Sequence, residues 1–158
     1  MQKIKTFLWY DNQAEEAANF YVSLFDNSRV VSVDRYGEAG PGESGEVMTV
    51  TFELDGQQYV ALNGGPHFKF TEAISLQVDC ESQKEIDDLW TKLTADGGQE
   101  SQCGWLKDKY GLSWQITPRR FFELASDPDP EKAQRVMQAM LGMVKMDIQA
   151  LEEAHAGK

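Results

Sequence analysis

Residues 40–54 read GPGESGEVMTVTFEL, and they decide between two very different folds. The first six letters match the pattern G-x-G-x-x-G, which binds the pyrophosphate of a dinucleotide when a strand precedes it and a helix comes after it. The residues after these glycines alternate instead, with apolar side chains at Met48, Val50, Phe52 and Leu54. A period of two predicts a strand and not a helix. We therefore predict no doubly wound dinucleotide-binding fold, and interpret the glycines as a flexible connection between two strands.

The segments on either side of this stretch also predict strands. Residues 29–36, RVVSVDRY, form a strand candidate before the glycines. After residue 54, the dipeptide Asp55-Gly56 is typical of a tight hairpin turn, and it leads into a further strand at residues 58–62. Three consecutive strands are therefore expected in the first half of the chain.

A strand followed by an amphipathic helix occurs twice in the sequence. The first pair is a strand over residues 4–10 and a helix whose apolar face holds Ala14, Ala17, Ala18, Tyr21, Leu24 and Phe25. The second pair is a strand over residues 74–78 and a helix whose apolar face holds Ile86, Leu89, Trp90 and Leu93. Asp11 and Asp79 occupy matching places between strand and helix, which indicates an internal repeat.

The second half continues like the first. A weakly marked strand candidate at residues 100–106 is followed by a turn through residues 107–111 and a strand at residues 112–117. We therefore predict an α+β fold of two βαβββ modules. A duplication of this kind can bury a cleft between its two sheets.

We expect residues 1–158 to form a single domain, with modules at 1–70 and 71–120 and a helical tail at 121–158. In the tail, Pro130 is predicted to lie in the first turn of one helix, and a second helix is predicted to begin near Asp147. Four methionines recur at every third position of the tail: Met137, Met140, Met143 and Met146. They fit either a helix packed on its own core or an adaptable surface for a second subunit.

Charge and composition limit the partners. The chain carries 26 acidic and 15 basic residues, a net charge of −11, without a cluster of Lys or Arg that could neutralise phosphates. We therefore expect neither nucleic acid nor a membrane as a partner. Because the sequence has no apolar run of the length of a signal peptide or a membrane span, we expect a cytoplasmic protein. Cys80 and Cys103 fit no metal-binding spacing and are expected to be reduced thiols.

Five phrases of the sequence carry a resemblance to a known family. They are LWYDNQAEEAANFY, ALNGGPHFKF, AISLQVDC, QCGWLKDKYGLSWQITP and DPDPEKAQRVMQAML. In this order they resemble the PhnB-like branch of the vicinal-oxygen-chelate superfamily, which includes glyoxalases, extradiol dioxygenases and bleomycin-resistance proteins. The resemblance implies paired βαβββ modules, a curved half-barrel around a ligand cleft, C-terminal helices and a homodimer. It also brings the label 3-demethylubiquinone-9 3-methyltransferase, which we expect to be wrong, because the only glycine-rich nucleotide motif lacks its helix.

Enzymes of this superfamily hold a divalent metal with His and Glu at four inward-facing strand positions. The resemblance carries these positions to Lys5 (or Thr6), Ala61, Ala73 and Gln115. None of these side chains is a His or a carboxylate, and a lone amide oxygen does not hold a catalytic metal by itself. We therefore expect no metal and no cofactor.

Other chemistries have few candidate residues. His155 lies in the tail, and His67 comes after Gly64-Gly65-Pro66, where we expect a loop residue or pocket rim and leave open a ligand or general base. Cys103 is expected to be a small packed side chain, with a reactive thiol as the alternative. The catalytic residues, if there are any, are unknown, and Lys5 stays open as an acid–base group.

Strand alternation predicts which side chains share the inward face with the four family positions: Phe7, Trp9, Asn63, Ser75, Gln77, Ser113 and Thr117. With Trp105 and Gln115 they predict an aromatic pocket with neutral hydrogen-bonding groups for an unknown small molecule. We expect a metal-independent small-molecule-binding protein of unproven activity. The alternatives are a lyase or isomerase with a non-standard site, and an inert interaction module whose tail mediates assembly.

Overall fold

The computed structural model describes residues 2–158, which fold as two compact units, one ending at Lys69 and the other running from Phe70 to Lys158. Each unit contains one four-stranded sheet, and the described residues form five helices. The predicted α+β fold with two βαβββ modules and C-terminal helices is confirmed. The organisation as a single domain stays a prediction.

The first unit has the predicted order of elements. Its elements are β1 (Thr6–Tyr10), α1 (Ala14–Leu24), β2 (Arg29–Arg35), β3 (Val47–Leu54) and β4 (Gln57–Asn63). The strands lie in the order β1-β4-β3-β2, with β1 parallel to β4 and the other pairs antiparallel. The antiparallel pairing of β2 with β3 confirms that the glycine-rich stretch joins two strands.

Small side chains let α1 approach the first sheet closely. Ala14, Ala17 and Ala18 are completely buried, so the helix backbone packs near the strands. Tyr21 adds the polar contact of this interface, because the Tyr10 hydroxyl donates to the Tyr21 hydroxyl at 3.1 Å. One face of the sheet is thereby covered, and the other face carries no helix of this unit.

The glycines of the opening stretch pack around an aromatic ring. A Cβ atom on Gly42 would come within 2.4 Å of the Tyr36 ring, and one on Gly40 within 2.7 Å. The Tyr36 hydroxyl donates to the carbonyl oxygen of Asn63 at 2.5 Å, which holds the ring against the end of β4. The motif therefore serves close packing of a loop on Tyr36.

The second unit repeats the strand order of the first. Its first five elements are β5 (Ser75–Cys80), α2 (Gln83–Thr94), β6 (Gln99–Glu100), β7 (Trp105–Lys107) and β8 (Ser113–Pro118). The strands lie in the order β5-β8-β7-β6. The prediction of one strand over residues 100–106 is wrong, because Cys103 and Gly104 have φ values of 59° and 82° and turn the chain between β6 and β7.

A buried carboxylate shapes the turn between β7 and β8. Oδ1 of Asp108 accepts hydrogen bonds from the backbone N–H groups of Tyr110 and Leu112 at 2.9 and 3.1 Å. Oδ2 accepts one from the indole N–H of Trp114 at 2.9 Å. Hydrogen bonds to an ionised acceptor are among the stronger ones in proteins, so Asp108 fixes both the turn and the core tryptophan.

The tail forms three helices with a core of their own. They are α3 (Arg119–Ala125), which begins two residues before the predicted helical tail, α4 (Pro130–Leu141) and α5 (Ile148–Ala156). The side chains of Asp129 and Asp147 accept backbone hydrogen bonds at the starts of α4 and α5, as expected for capping residues. The buried cluster consists of Phe121, Leu124, Val136, Met146 and Leu151.

The four methionines of the tail divide between the two predicted roles. Met146 is buried, and Met140 and Met143 pack against the core cluster of the tail. Met137 is 38% exposed on α4. The core interpretation therefore describes three of the four, and the surface for a second subunit stays a prediction.

The tail also hydrogen-bonds with the loop between β6 and β7. The backbone N–H groups of Cys103 and Gly104 donate to the carbonyl oxygens of Met143 and Val144, both at 2.8 Å.

Within residues 2–158, no helix combines the length and apolar character that crossing a bilayer requires.

Candidate functional site

Predicted site residues come together on one face of the second sheet. In the register of β5, β7 and β8, Gln77 and Trp105 lie opposite Gln115, and Ser75 lies opposite Ser113. The residues that alternate with them along β8, such as Trp114 and Ile116, are buried on the other face of the sheet. The helix α2 packs against this sheet. We call the first surface the polar face; it consists of Ser75, Gln77, Trp105, Ser113, Gln115 and Thr117.

Two amides organise the polar face. Nε2 of Gln115 donates to the Ser75 hydroxyl at 2.9 Å, which joins β8 to the edge strand β5. Nε2 of Gln77, an exposed side chain, donates to Oδ1 of Asp79 at 2.8 Å. Asp79 is the one carboxylate next to these amides along β5, and the sequence had marked it only as part of the repeat. The amides are thus oriented, with their carbonyl oxygens left as acceptors.

Ser113 is the most enclosed polar residue of this surface. It is 1% exposed, and its hydroxyl has no hydrogen-bond partner among residues 2–158. Opposite it, Lys107 forms an ion pair with Glu72. The hydrogen bond from Lys107 lowers the pKa of the Glu72 carboxyl, so this carboxyl is ionised at neutral pH. A buried hydroxyl without a protein partner is commonly satisfied by an ordered water.

Aromatic side chains lie on the helix-free face of the first sheet. In the parallel register, Phe7 is opposite Val60 and Trp9 is opposite Leu62; we call these four residues the aromatic face. Phe7 is 59% exposed. Trp9 is more constrained, because its indole N–H donates to the carbonyl oxygen of Gly65 at 2.9 Å.

Asn63 does not belong to either surface, and its predicted placement beside Phe7 and Trp9 is wrong. The register pairs Tyr10 with Asn63 and Leu8 with Ala61, which puts both β4 residues on the face that α1 covers. Oδ1 of Asn63 accepts a hydrogen bond from the N–H of Ala14 at 2.8 Å, at the start of α1. Asn63 is therefore a structural residue, and Ala61 is not an inward-facing position.

An open depression lies beside the N-terminal segment. It has a volume of about 640 Å³ and is lined by Gln2, Lys3, Lys5 and Phe7. The Gln2 amide is fixed by the backbone of Gln58, to which its Nε2 donates at 3.1 Å and from which its Oε1 accepts at 2.8 Å. Lys5 and Phe7 were predicted site residues, whereas Lys3 was not, because it lies outside every predicted element.

The structure offers no metal ligand set of the family type. Among residues 2–158, no three His, Cys, Asp or Glu side chains are grouped so that they could hold a metal ion. His67 is exposed in the loop after β4, and Nε2 of His155 lies 2.7 Å from Oδ2 of Asp127 in the tail. At the family positions, Lys5 and Ala73 are exposed, and Gln115 is bonded to Ser75. That the protein works without a metal stays a prediction.

Neither cysteine has the surroundings of a catalytic thiol. Burial raises the pKa of the Cys80 thiol to about 12, so it is protonated and unreactive at neutral pH. The Cys103 backbone is bonded to Met143, and its Sγ lies 3.8 Å from the carbonyl oxygen of Leu141. Cys103 therefore packs on the tail and does not face the polar surface.

The chain matches a known protein family over most of its length. The family described as 3-demethylubiquinone-9 3-methyltransferase matches residues 2–117. The chain belongs to this PhnB-like family. A PhnB protein from Bacillus cereus, provisionally described by the same activity, is 46% identical over 74% of this chain and 99% of its own, with a TM-score of 0.68. The helices of the tail lie beyond the matched residues.

More distant structures share the fold of this PhnB-like chain. Protein PA1353 from Pseudomonas aeruginosa is 16% identical, with a TM-score of 0.61 over 75% of this chain and 98% of its own. A fosfomycin resistance protein from Listeria monocytogenes is 11% identical, with a TM-score of 0.50 over 74% of this chain and 90% of its own. These likenesses show a shared fold. A search of curated proteins finds no match.

Proposed function

We propose that this PhnB-like protein binds a small organic molecule on its polar face without a metal ion. The observation that carries the proposal is the Gln115–Ser75 hydrogen bond, 2.9 Å long, on a sheet face opposite α2. It orients the amide so that Oε1 of Gln115 is free to accept from a ligand. Beside it, Trp105 supplies an aromatic surface and Gln77 a second oriented amide.

The neutral character of these groups favours binding over acid–base chemistry. Amides and hydroxyls bind and orient a ligand, but they do not exchange protons at neutral pH as a general acid or base must. We propose Phe7 and Trp9 as apolar ligand contacts of the first unit. We also propose a homodimer, as the resemblance to the family implies, and, on separate grounds, a cytoplasmic location.

Native mass spectrometry of untagged protein, before and after denaturation, tests the proposal. We expect two subunits, an extra organic mass that is lost on denaturation, and no retained metal. The variant Gln115→Ala should retain about ten-fold less of the organic mass, because one oriented hydrogen bond is lost. Gln134→Ala on the exposed side of α4 is the matched control and should retain as much as the native protein.

One retained metal per subunit would contradict the proposal and favour the lyase or isomerase alternative. Equal retention of the organic mass in Gln115→Ala and Gln134→Ala would mean that the ligand binds elsewhere on the protein. A spectrum without any organic mass, together with no saturable binding in ligand screens, would favour the interaction module whose tail mediates assembly.

We further propose that the methyltransferase description does not apply to this chain. The one glycine motif that resembles a nucleotide-binding loop packs on Tyr36 and leads into β3, so it presents no helix start to a phosphate or nucleoside. Calorimetric titration with S-adenosylmethionine should detect no binding. Saturable binding with one site per chain would overturn this part of the proposal.

A further inference from the structure

Two lysines lie close together in the N-terminal segment, at Lys3 and Lys5. Some basic residues are neutralised by ion pairs, as Arg29 is by Glu53 and Lys145 by Asp87. Lys3 and Lys5, two residues apart, form no ion pair with any carboxylate of residues 2–158. Lys92 and Lys132 also form none, so what distinguishes Lys3 and Lys5 is that they are neighbours and share one depression.

These lysines line the same depression as an exposed aromatic ring. Its walls are formed by Lys3, Lys5, Phe7 and Gln2. The hydrogen bonds between the Gln2 amide and the backbone of Gln58 hold this segment against β4. The two ammonium groups and the phenyl ring of Phe7 are therefore presented from an anchored segment of chain.

We propose that this depression binds a small organic anion that carries an aromatic or apolar body. The ammonium groups of Lys3 and Lys5 bind the anionic group, and the ring of Phe7 packs against the body. This inference rests on the proposed small-molecule binding, in which Phe7 is a ligand contact. It adds the charge of a ligand that contacts the first unit at Phe7, independently of the polar face of the second unit.

The net charge of −11 makes the sign of the salt effect informative. Repulsion between an anion and the whole chain is screened by salt, so it would make binding tighter as the ionic strength rises. Direct attraction to Lys3 and Lys5 is also screened, but it would make binding weaker under the same change. We expect the anion to bind less tightly as salt is raised from about 0.02 M to about 0.3 M.

A matched pair of fluorescent probes tests the inference. 1-Anilinonaphthalene-8-sulfonate is an aromatic anion, and N-phenyl-1-naphthylamine has nearly the same rings without the sulfonate. In the double variant Lys3→Gln/Lys5→Gln, we expect sulfonate binding to weaken about ten-fold, since each exposed pair contributes modestly. Binding of the neutral amine should stay within about two-fold.

The control must remove the same charge elsewhere. Lys92→Gln/Lys132→Gln changes two exposed lysines of α2 and α4 and should leave the sulfonate affinity within about two-fold of the native protein. Phe7→Ser should weaken both probes. Circular dichroism should show that all three variants are folded, since each change is at an exposed position.

The outcomes separate this inference from the proposed function. If both probes bind and the Lys3/Lys5 variant behaves like the Lys92/Lys132 control, the anion preference is wrong while small-molecule binding stands. Tighter sulfonate binding at high salt would also contradict the anion preference and leave small-molecule binding standing. If neither probe shows saturable binding to the native protein, the proposed ligand contact at Phe7 fails together with the inference.

Discussion

The two units of this chain share one strand order but differ in the length of the edge strand, β2 in the first unit and β6 in the second. In the first unit, β2 is seven residues long and pairs along β3 with two register shifts, between Val30 and Ser32 and between Asp34 and Arg35. In the second unit, the corresponding β6 has only two residues. The backbone N–H groups of the adjoining loop, at Cys103 and Gly104, donate instead to carbonyls of the tail. A repeated fold therefore tolerates a nearly missing edge strand when another segment satisfies the backbone.

The final hairpins of the two units differ in how their turns are stabilised. In the first unit, β3 and β4 are joined by Asp55 and Gly56, and Asp55 is exposed with a φ of 49°. In the second unit, the turn begins with Asp108, whose carboxylate is buried and accepts three hydrogen bonds. The same residue type starts both turns, but only the second aspartate stabilises its turn through buried contacts.

Replacing these two aspartates gives the largest expected contrast. Asp108→Asn should lower the free energy of unfolding by about 3 kcal/mol, because an amide NH₂ faces donors that were bound by a carboxylate. Asp55→Asn should change it by less than about 0.5 kcal/mol, since asparagine tolerates a positive φ at an exposed turn. Urea denaturation followed by circular dichroism measures both. Equal effects at the two positions would contradict the difference between the turns.

A smaller effect is expected where the tail replaces the edge strand. A Cβ atom on Gly104 would lie 2.9 Å from the carbonyl oxygen of Ile116 and 2.9 Å from Cγ of Met146, at a φ of 82°. Gly104→Ala should therefore destabilise the protein by about 2 kcal/mol. Gly37→Ala is the control, because no atom lies within 4 Å of its added Cβ, and it should have no measurable cost. Similar unfolding midpoints for the two variants would mean that the tail can move away at little cost.

The smallest expected effect concerns the tail alone and depends on pH. The pKa of Asp127 is lowered, first by the hydrogen bond from the N–H of Asp129 and then by His155. A lowered pKa in the folded state stabilises the protein above the ordinary pKa of aspartate, and this contribution is lost as the pH falls through the lowered value. Asp127→Asn should therefore be less stable than the native protein at about pH 6, and this difference should shrink as the pH falls to about 3.

Thermal unfolding at both pH values measures this difference. Asp96→Asn is the control, because Asp96 lies in an exposed turn with a positive φ that asparagine tolerates. At neutral pH this control should match the native protein within about 0.5 kcal/mol. A stability difference for Asp127→Asn that stays constant with pH would show that the Asp127 carboxylate does not contribute through ionisation.

Much of the fold could be predicted because local patterns fix it. The alternation from Met48 to Leu54 predicted β3, the Asp55-Gly56 pair predicted its hairpin, and the apolar face from Ile86 to Leu93 predicted α2. The division of residues 99–107 into β6 and β7 was missed. It depends on a turn at Cys103 and Gly104 that hydrogen bonds from a distant segment of the tail hold in place.

The sharing of one face by residues of neighbouring strands could be predicted where the two strands pair without a register shift. Ser75, Gln77 and Gln115 share a face as alternation predicted, because β5 and β8 run in parallel register without a shift. On β4 the prediction chose Ala61 and Asn63, whereas Val60 and Leu62 are the residues opposite Phe7 and Trp9. A strand with apolar residues at consecutive positions, such as Tyr59 to Leu62, does not show in its sequence which face it covers.

The sequence by itself determined the repeated strand and helix order and the positions of the turns at residues 55–56 and 107–111. These properties are local, since they depend on residue type and on spacing within a single element. Only the tertiary structure decided that Asn63 lies at the start of α1, that Gly40 and Gly42 pack on Tyr36, and that Lys3 joins Lys5 and Phe7. Each of these depends on the register between strands or the approach of distant segments, which is set by packing and not by local periodicity.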